Sequence, residues 1–140
     1  MPTFTLNETL SLGVPEMDEQ HRVLVDLINS LHRVMMGEDS RHLAEAKAQT
    51  IDALVEYCVR HFESEEEFML SIGYPDLDDH RNEHQAFIAK VLEYRDELMT
   101  AYAVQGSQVI KMMTEWLHHH ILTKDQRYAR FAAGAGLAQF

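Results

Sequence analysis

The chain has 140 residues, 46% hydrophobic and 25% charged, which suits one domain with its own core and the composition of an ordinary globular protein. Its formal net charge of −11, from 23 acidic against 12 basic residues, leaves no basic surface to neutralise phosphates, so nucleic acid is not an expected partner. No apolar run reaches membrane-span length, the opening MPTFTLNETL lacks the features of a secretory signal, and the lone Cys58 forbids an internal disulfide, so the expectation is a cytoplasmic protein with no membrane partner.

With only three prolines and six glycines, the long uninterrupted segments favour an all-α fold. Gly13-Val14-Pro15 precedes the first predicted helix, over about 17–36, and Pro15 suits a helix's first turn. Its apolar face runs His21, Leu24, Ile28, Leu31, Met35, in alternating steps of three and four, so His21 lies on the buried stripe. The second helix, 40–72, is capped by Ser40 and carries Ile51, Leu54, Cys58, His61, Glu65 and Phe68 in the same rhythm. Gly73-Tyr74-Pro75-Asp76 ends it. The third, 76–105, capped by Asp76, shows His80, His84, Phe87, Val91 and Tyr94. Gly106-Ser107 separates it from the fourth, 107–125, with Ile110, Met113, Leu117 and His120 inward. An N-terminal arm over 1–16 and a tail over 126–140 flank the bundle, and 1–140 reads as one domain. Short connections make consecutive helices antiparallel, which gives an up-down-up-down four-helix bundle.

Direction then adds what periodicity cannot. In such a bundle the start of helix one, the end of two, the start of three and the end of four share one end. His21, His61, Glu65, His80, His84 and His120 all fall within roughly three turns of that end at about 1.5 Å rise per residue. His32 and His42 flank the opposite turn, while His118 and His119 are rotated away from His120, so these four read as surface residues. A single inward histidine is usually a core histidine bonded to a neighbour. Five at one depth with carboxylates beside them call for a counter-charge, and a cation supplies it. The pairs His61/Glu65 and His80/His84 are i,i+4 and project from one face. Asp125 is i,i+5 from His120, about 140° away on a regular helix, so it turns inward only if the helix end is distorted.

The ordered set His21, His61-x3-Glu65, His80-x3-His84 and His120-x4-Asp125, with the segments Gly13 to His21, His61 to Glu66, His80 to Phe87 and Trp116 to Asp125, resembles the hemerythrin family. The resemblance spans residues 13–125 and has the i,i+5 spacing at its last motif, which brings Asp125 into the ligand set. It implies a non-haem centre of two iron ions with an oxo or hydroxo bridge. His80, His84 and His120 would hold one iron and His21 and His61 the other, with Glu65 and Asp125 bridging. It further implies reversible binding of dioxygen at the iron with fewer ligands, for oxygen carriage, storage or sensing, with no catalytic residues. Leu24, Phe62, Trp116, Leu117 and Ile121 neighbour the ligands in sequence and are candidates for an apolar lining of the oxygen pocket, although such residues are more often plain core.

Other classes fit less well. A di-iron oxidase or peroxidase on the same bundle would carry two Glu-x-x-His motifs and further Glu, yet only Glu115-Trp116-Leu117-His118 has that spacing, and its His is off the inward stripe. A zinc hydrolase lacks its His-Glu-x-x-His, and seven ligands exceed one tetrahedral zinc. An oxygen-sensing module would need an oxygen-consuming or signalling partner, for which no docking surface is recognisable. A monomer is expected, and Asp18-Glu19 and Glu66-Glu67 read as solvated acidic faces.

Overall fold

Apolar residues at helical spacing draw four long helices against one another: α1 (Pro15–Met35), α2 (Leu43–Ser71), α3 (Leu77–Thr100) and α4 (Ala103–His120). The computed structural model describes residues 11–35, 43–100 and 103–134. Helix α1 packs on α2 and α4, and α3 packs on the same two, so the four close a ring around one apolar core. Leu31, Ile51, Leu54, Met69 and Met113 are at most 1% exposed within it. Ion pairs fix the direction of neighbours. Arg81, early in α3, meets Glu66, late in α2, and Arg95, late in α3, meets Asp52, early in α2. Helices α2 and α3 are therefore antiparallel, as the expected bundle requires. No helix among the described residues is long and apolar enough to cross a membrane.

The ends of the elements follow local chemistry. Asp18 accepts hydrogen bonds from the Leu12 N–H at 2.8 Å and the Ser11 hydroxyl at 3.0 Å, which ties the preceding segment to the first turn of α1. After α2, Gly73 adopts φ +67, its N–H bonds to the Leu70 carbonyl, and the Tyr74 N–H reaches back to the Met69 carbonyl. That pair of bonds is a Schellman closure, and the left-handed conformation at its centre is why glycine stands there. The Asp76 carbonyl then accepts the His80 N–H at 3.0 Å in the first turn of α3.

Several boundaries differ from the sequence expectation. Gly106 and Ser107 lie inside α4, so they do not separate helices three and four; α3 runs to Thr100 and α4 starts at Ala103, with residues 101–102 outside the described residues. A glycine inside a helix costs about 1 kcal/mol, which packing readily offsets. The larger difference is at the other end of α4. The chain does not pass into a tail at 126 but makes a π-helical turn, Ile121–Asp125, and continues as α5 (Gln126–Gly134). Helix α5 buries Tyr128, Ala129 and Ala132 against the bundle, and Gln126 bonds to the Ser11 carbonyl. Small residues, which read as a loose end, let this short helix lie close. The Ser40 cap, His42, residues 1–10 of the arm and 135–140 of the tail lie outside the described residues.

Leu31 is 0% exposed, in the last turns of α1. Leu31→Ala is expected to lower unfolding free energy by about 2–5 kcal/mol, through lost burial and a residual cavity. Urea denaturation checks this; a change under about 0.5 kcal/mol, as for a surface site, would contradict the core assignment.

Candidate metal centre

Each helix contributes to one buried cluster near the end where α1 and α3 begin and α2 and α4 finish. His21 comes from α1, His61 and Glu65 from α2, His80 and His84 from α3, and His120 from the last residue of α4. Asp125 comes from the π-helical turn. That turn removes the difficulty posed by the i,i+5 spacing, because a π-helix advances about five residues where an α-helix advances four, so Asp125 returns to the face of His120. All seven side chains are at most 2% exposed. Of the other histidines, His118 and His119 are exposed and His32 is partly buried.

The donor atoms converge. His21 Nε2 lies 3.2 Å from Glu65 Oε2 and 3.1 Å from Asp125 Oδ2. Glu65 Oε1 is 3.4 Å from His61 Nε2 and 3.2 Å from His84 Nε2. Asp125 Oδ1 is 2.9 Å from His80 Nε2 and 3.1 Å from His120 Nε2. Each carboxylate thus reaches imidazoles belonging to two groups, one of Glu65, His80, His84, His120 and Asp125, the other of His21, His61 and Glu65.

Hydrogen bonding among these groups does not account for the arrangement. Among the described residues, His61 Nε2, Glu65 Oε1, His80 Nε2 and both Asp125 oxygens are buried without a hydrogen-bond partner, despite their short separations. His84 Nε2 and His120 Nε2 face each other at 3.0 Å. Two ligand atoms at right angles around an ion with bonds of about 2.1 Å sit about 3.0 Å apart, which matches this spacing. Nitrogen and carboxylate donors of this kind suit a first-row transition metal. The residues fit a cation-binding centre.

Protonation tells the same story from the side of charge. Burial opposes a charge on His21, but the Asp125 and Glu65 carboxylates beside it outweigh burial and raise its pKa to about 9. Burial likewise opposes charge on His120, and Asp125 with Glu83 raises it to about 10. Burial dominates at His61 and lowers it to about 4. Glu65 and Asp125, which burial alone would push up, are held below the usual carboxylate range by the surrounding histidines. Among protein groups alone, protons on histidine balance the two carboxylates, and a bound cation takes over that role.

Around the cluster stand residues that sequence reasoning missed. The Tyr128 hydroxyl, on α5, donates to Glu65 Oε2 at 2.6 Å, and burial with the adjacent Glu65 charge raises its pKa, so it stays a donor. His61 Nδ1 meets Gln20 Oε1 at 2.7 Å, His84 Nδ1 meets Glu66 Oε2 at 2.9 Å, and His120 Nδ1 meets Glu83 Oε1 at 2.9 Å. Glu66 is therefore no solvated bystander, and Asp18 is occupied by Ser11 and Leu12; Glu19 and Glu67 are exposed as expected. Gln20, Glu66 and Glu83 each stand next to a cluster residue in sequence, which was the available signal.

Of the five apolar candidates, Leu24, Phe62 and Leu117 line a narrow seam with Leu54, Cys58 and Met113. Trp116 and Ile121 are not on its wall. Trp116 stacks flat on His120 at 4.5 Å and on Phe87 at 3.9 Å, and Ile121 is wholly buried in the π-helical turn.

Fold and site together define an all-α bundle protein with a buried histidine and carboxylate centre for cations. A family model described as the hemerythrin HHE cation binding domain matches residues 12–132, and the chain belongs to that family. It is 33% identical over 129 residues to a bacteriohemerythrin of Stenotrophomonas maltophilia, covering 92% of this chain and 81% of that one. It is also 33% identical over 122 residues to a myohemerythrin of Theromyzon tessulatum, covering 87% and 88%. A solved structure titled as wild-type hemerythrin shares the fold, with a TM-score of 0.77 and 24% identity over 90% of this chain and 95% of that one.

Because His21 and His120 are protonated at pH 7 when no cation is bound, metal uptake must displace their protons. Uptake is expected to release protons and to strengthen as pH rises from 6 toward 9. Calorimetric titration in two buffers of different ionisation enthalpy reads this directly; buffer-independent heats would contradict it.

Proposed function

We propose that this centre holds two iron ions and binds dioxygen reversibly. His80, His84 and His120 hold one ion, His21 and His61 the other, and Glu65 and Asp125 span both. The observation that carries this is the pair of carboxylates, each within 3.4 Å of imidazoles from both sets. Iron held by these residues would supply the electrons that dioxygen takes up, and the side with two histidines would leave it room to bind.

The chain's own residues favour binding over oxidative turnover. Three nitrogens on one side against two on the other leave the second ion more open. Leu24, Phe62 and Leu117 bring an apolar wall to the cluster, along a seam too narrow to hold water. Of the residues lining it, Cys58 alone is titratable, and burial pushes its thiol up to about 12, so it is a poor proton donor. With no ready acid among the residues lining this seam, the proton that O–O cleavage needs is not supplied from that side, and exclusion of water slows loss of the bound ligand. Tyr128 holds Glu65 in place from the opposite side.

An oxidase is the second reading, and the structure disfavours it at one point: Glu115 and His118, the only pair with oxidase-like spacing, are both exposed. Relatives that carry the names bacteriohemerythrin and myohemerythrin support the oxygen-binding reading.

Protein produced with iron is expected to carry about two irons per chain, as a binuclear site requires. Its anaerobic, reduced form should change colour on admitting oxygen and revert when oxygen is removed. Iron content well below that level with no optical response, or a colour change that never reverses, would overturn the proposal.

A further inference from the structure

The five imidazoles are not supported alike. Assuming that Nε2 faces the ion, each Nδ1 carries the proton and needs an acceptor. His84 and His120 donate to carboxylates, Glu66 and Glu83. His61 donates to the neutral amide oxygen of Gln20, and His21 Nδ1 is buried with no hydrogen-bond partner among the described residues. Among the described contacts, carboxylate support thus falls on two of the three rings of the three-histidine side, His84 and His120, and on neither ring of the other.

Each support is itself held. Arg81 Nε donates to Glu66 at 3.0 Å, and Lys124 Nζ lies 3.4 Å from Glu83, which fixes both carboxylates. Gln20 donates its amide N–H to the Ser64 hydroxyl at 3.1 Å, which turns its oxygen toward His61 and keeps that support neutral throughout. Ring stacking singles out the same two rings. Phe62 lies flat on His84 at 3.8 Å and 7°, and Trp116 lies flat on His120 at 4.5 Å and 11°. The ring contacts of His21, His61 and His80 that are not shared with those two are edge-on or tilted instead.

We infer that Glu66 and Glu83 are positioning residues that make the His80, His84 and His120 side the tighter of two cation sites, while Gln20 keeps the other side weaker, so that the two ions load in a fixed order. The inference rests on the proposed division of ligands. A carboxylate accepting the Nδ1 proton leaves more electron density on Nε2 and fixes the ring before the ion arrives. Bonds to a charged acceptor are roughly twice as strong as those between neutral groups. Ligand number alone would also favour the three-histidine side, so the experiment must separate number from support.

Titration of the full chain with Co²⁺ against a competing chelator, followed by visible absorption, reads the two steps separately. Wild type should bind two ions in resolved steps, the first tighter by about tenfold or more, the scale of outer-partner effects. Glu83→Gln, and likewise Glu66→Gln, keeps every ligand and should weaken the first step by about 10–100-fold while leaving the second within a few-fold. Gln20→Glu should tighten the second step and narrow the gap from the other side; if the other two variants fail to fold, it decides the matter alone. Equal weakening of both steps, or an unchanged gap in the Gln20 variant, would overturn the inference. Two ions binding in one unresolved step overturns the loading order but leaves the centre intact, whereas fewer than two ions overturns the proposed centre as well.

Discussion

Two carboxylates and five imidazoles are buried together at one end of the bundle, and no more than 2% of any of them reaches solvent. An ionised carboxylate withdrawn from water is costly unless something positive stands beside it, and here two are withdrawn within reach of the same rings. Protons on His21 and His120 supply that charge in part, and a bound cation would supply it with better geometry, since nitrogen and oxygen lone pairs would then point at a common target. Much of the surrounding structure follows from holding this cluster dry and aimed. Helix α5 covers it and sends in the Tyr128 hydroxyl, and Phe62 and Trp116 clamp two of the rings.

Most of this site was legible in the sequence, because two simple rules act together. Helical periodicity put His21, His61, Glu65, His80, His84 and His120 on inward faces, and antiparallel direction put them at one depth. Asp125 escaped those rules, since a regular helix turns it away from His120. The π-helical turn over Ile121–Asp125 restores it, and only the resemblance to a known family gave advance notice of that distortion. A π turn has no sequence signature comparable to a cap or a glycine, so periodicity could not find it. Helix α5 was missed for a different reason: the small residues and glycines from Ala132 onward set the reading of the tail, although Gln126, Arg127, Ala129 and Arg130 before them are good helix formers.

The supporting residues were hidden by a different feature of the bundle. Gln20 sits beside His21 in sequence yet supports His61 on the next helix. Glu66 sits beside Glu65 and supports His84, and Glu83 sits beside His84 and supports His120. Each of the first three helices thus supplies a ligand and, from the neighbouring position, a brace for the helix that follows. Such a relay depends on how adjacent helices face each other, which neighbour-by-neighbour reading of charge cannot reveal; Glu66 inside Glu65-Glu66-Glu67 looks like part of a solvated run. The same ring of braces couples bundle packing to ring orientation, so a shift between two helices reaches the metal ligands directly.

The central claim, that seven side chains from four helices and a π-helical turn surround two cations, is tested most directly by anomalous diffraction from crystals of the iron-loaded protein. Two anomalous peaks are expected about 3.5–4 Å apart, as in other binuclear sites, with Glu65 and Asp125 reaching both. A single peak, or two peaks with Asp125 or His21 outside bonding distance, would contradict it.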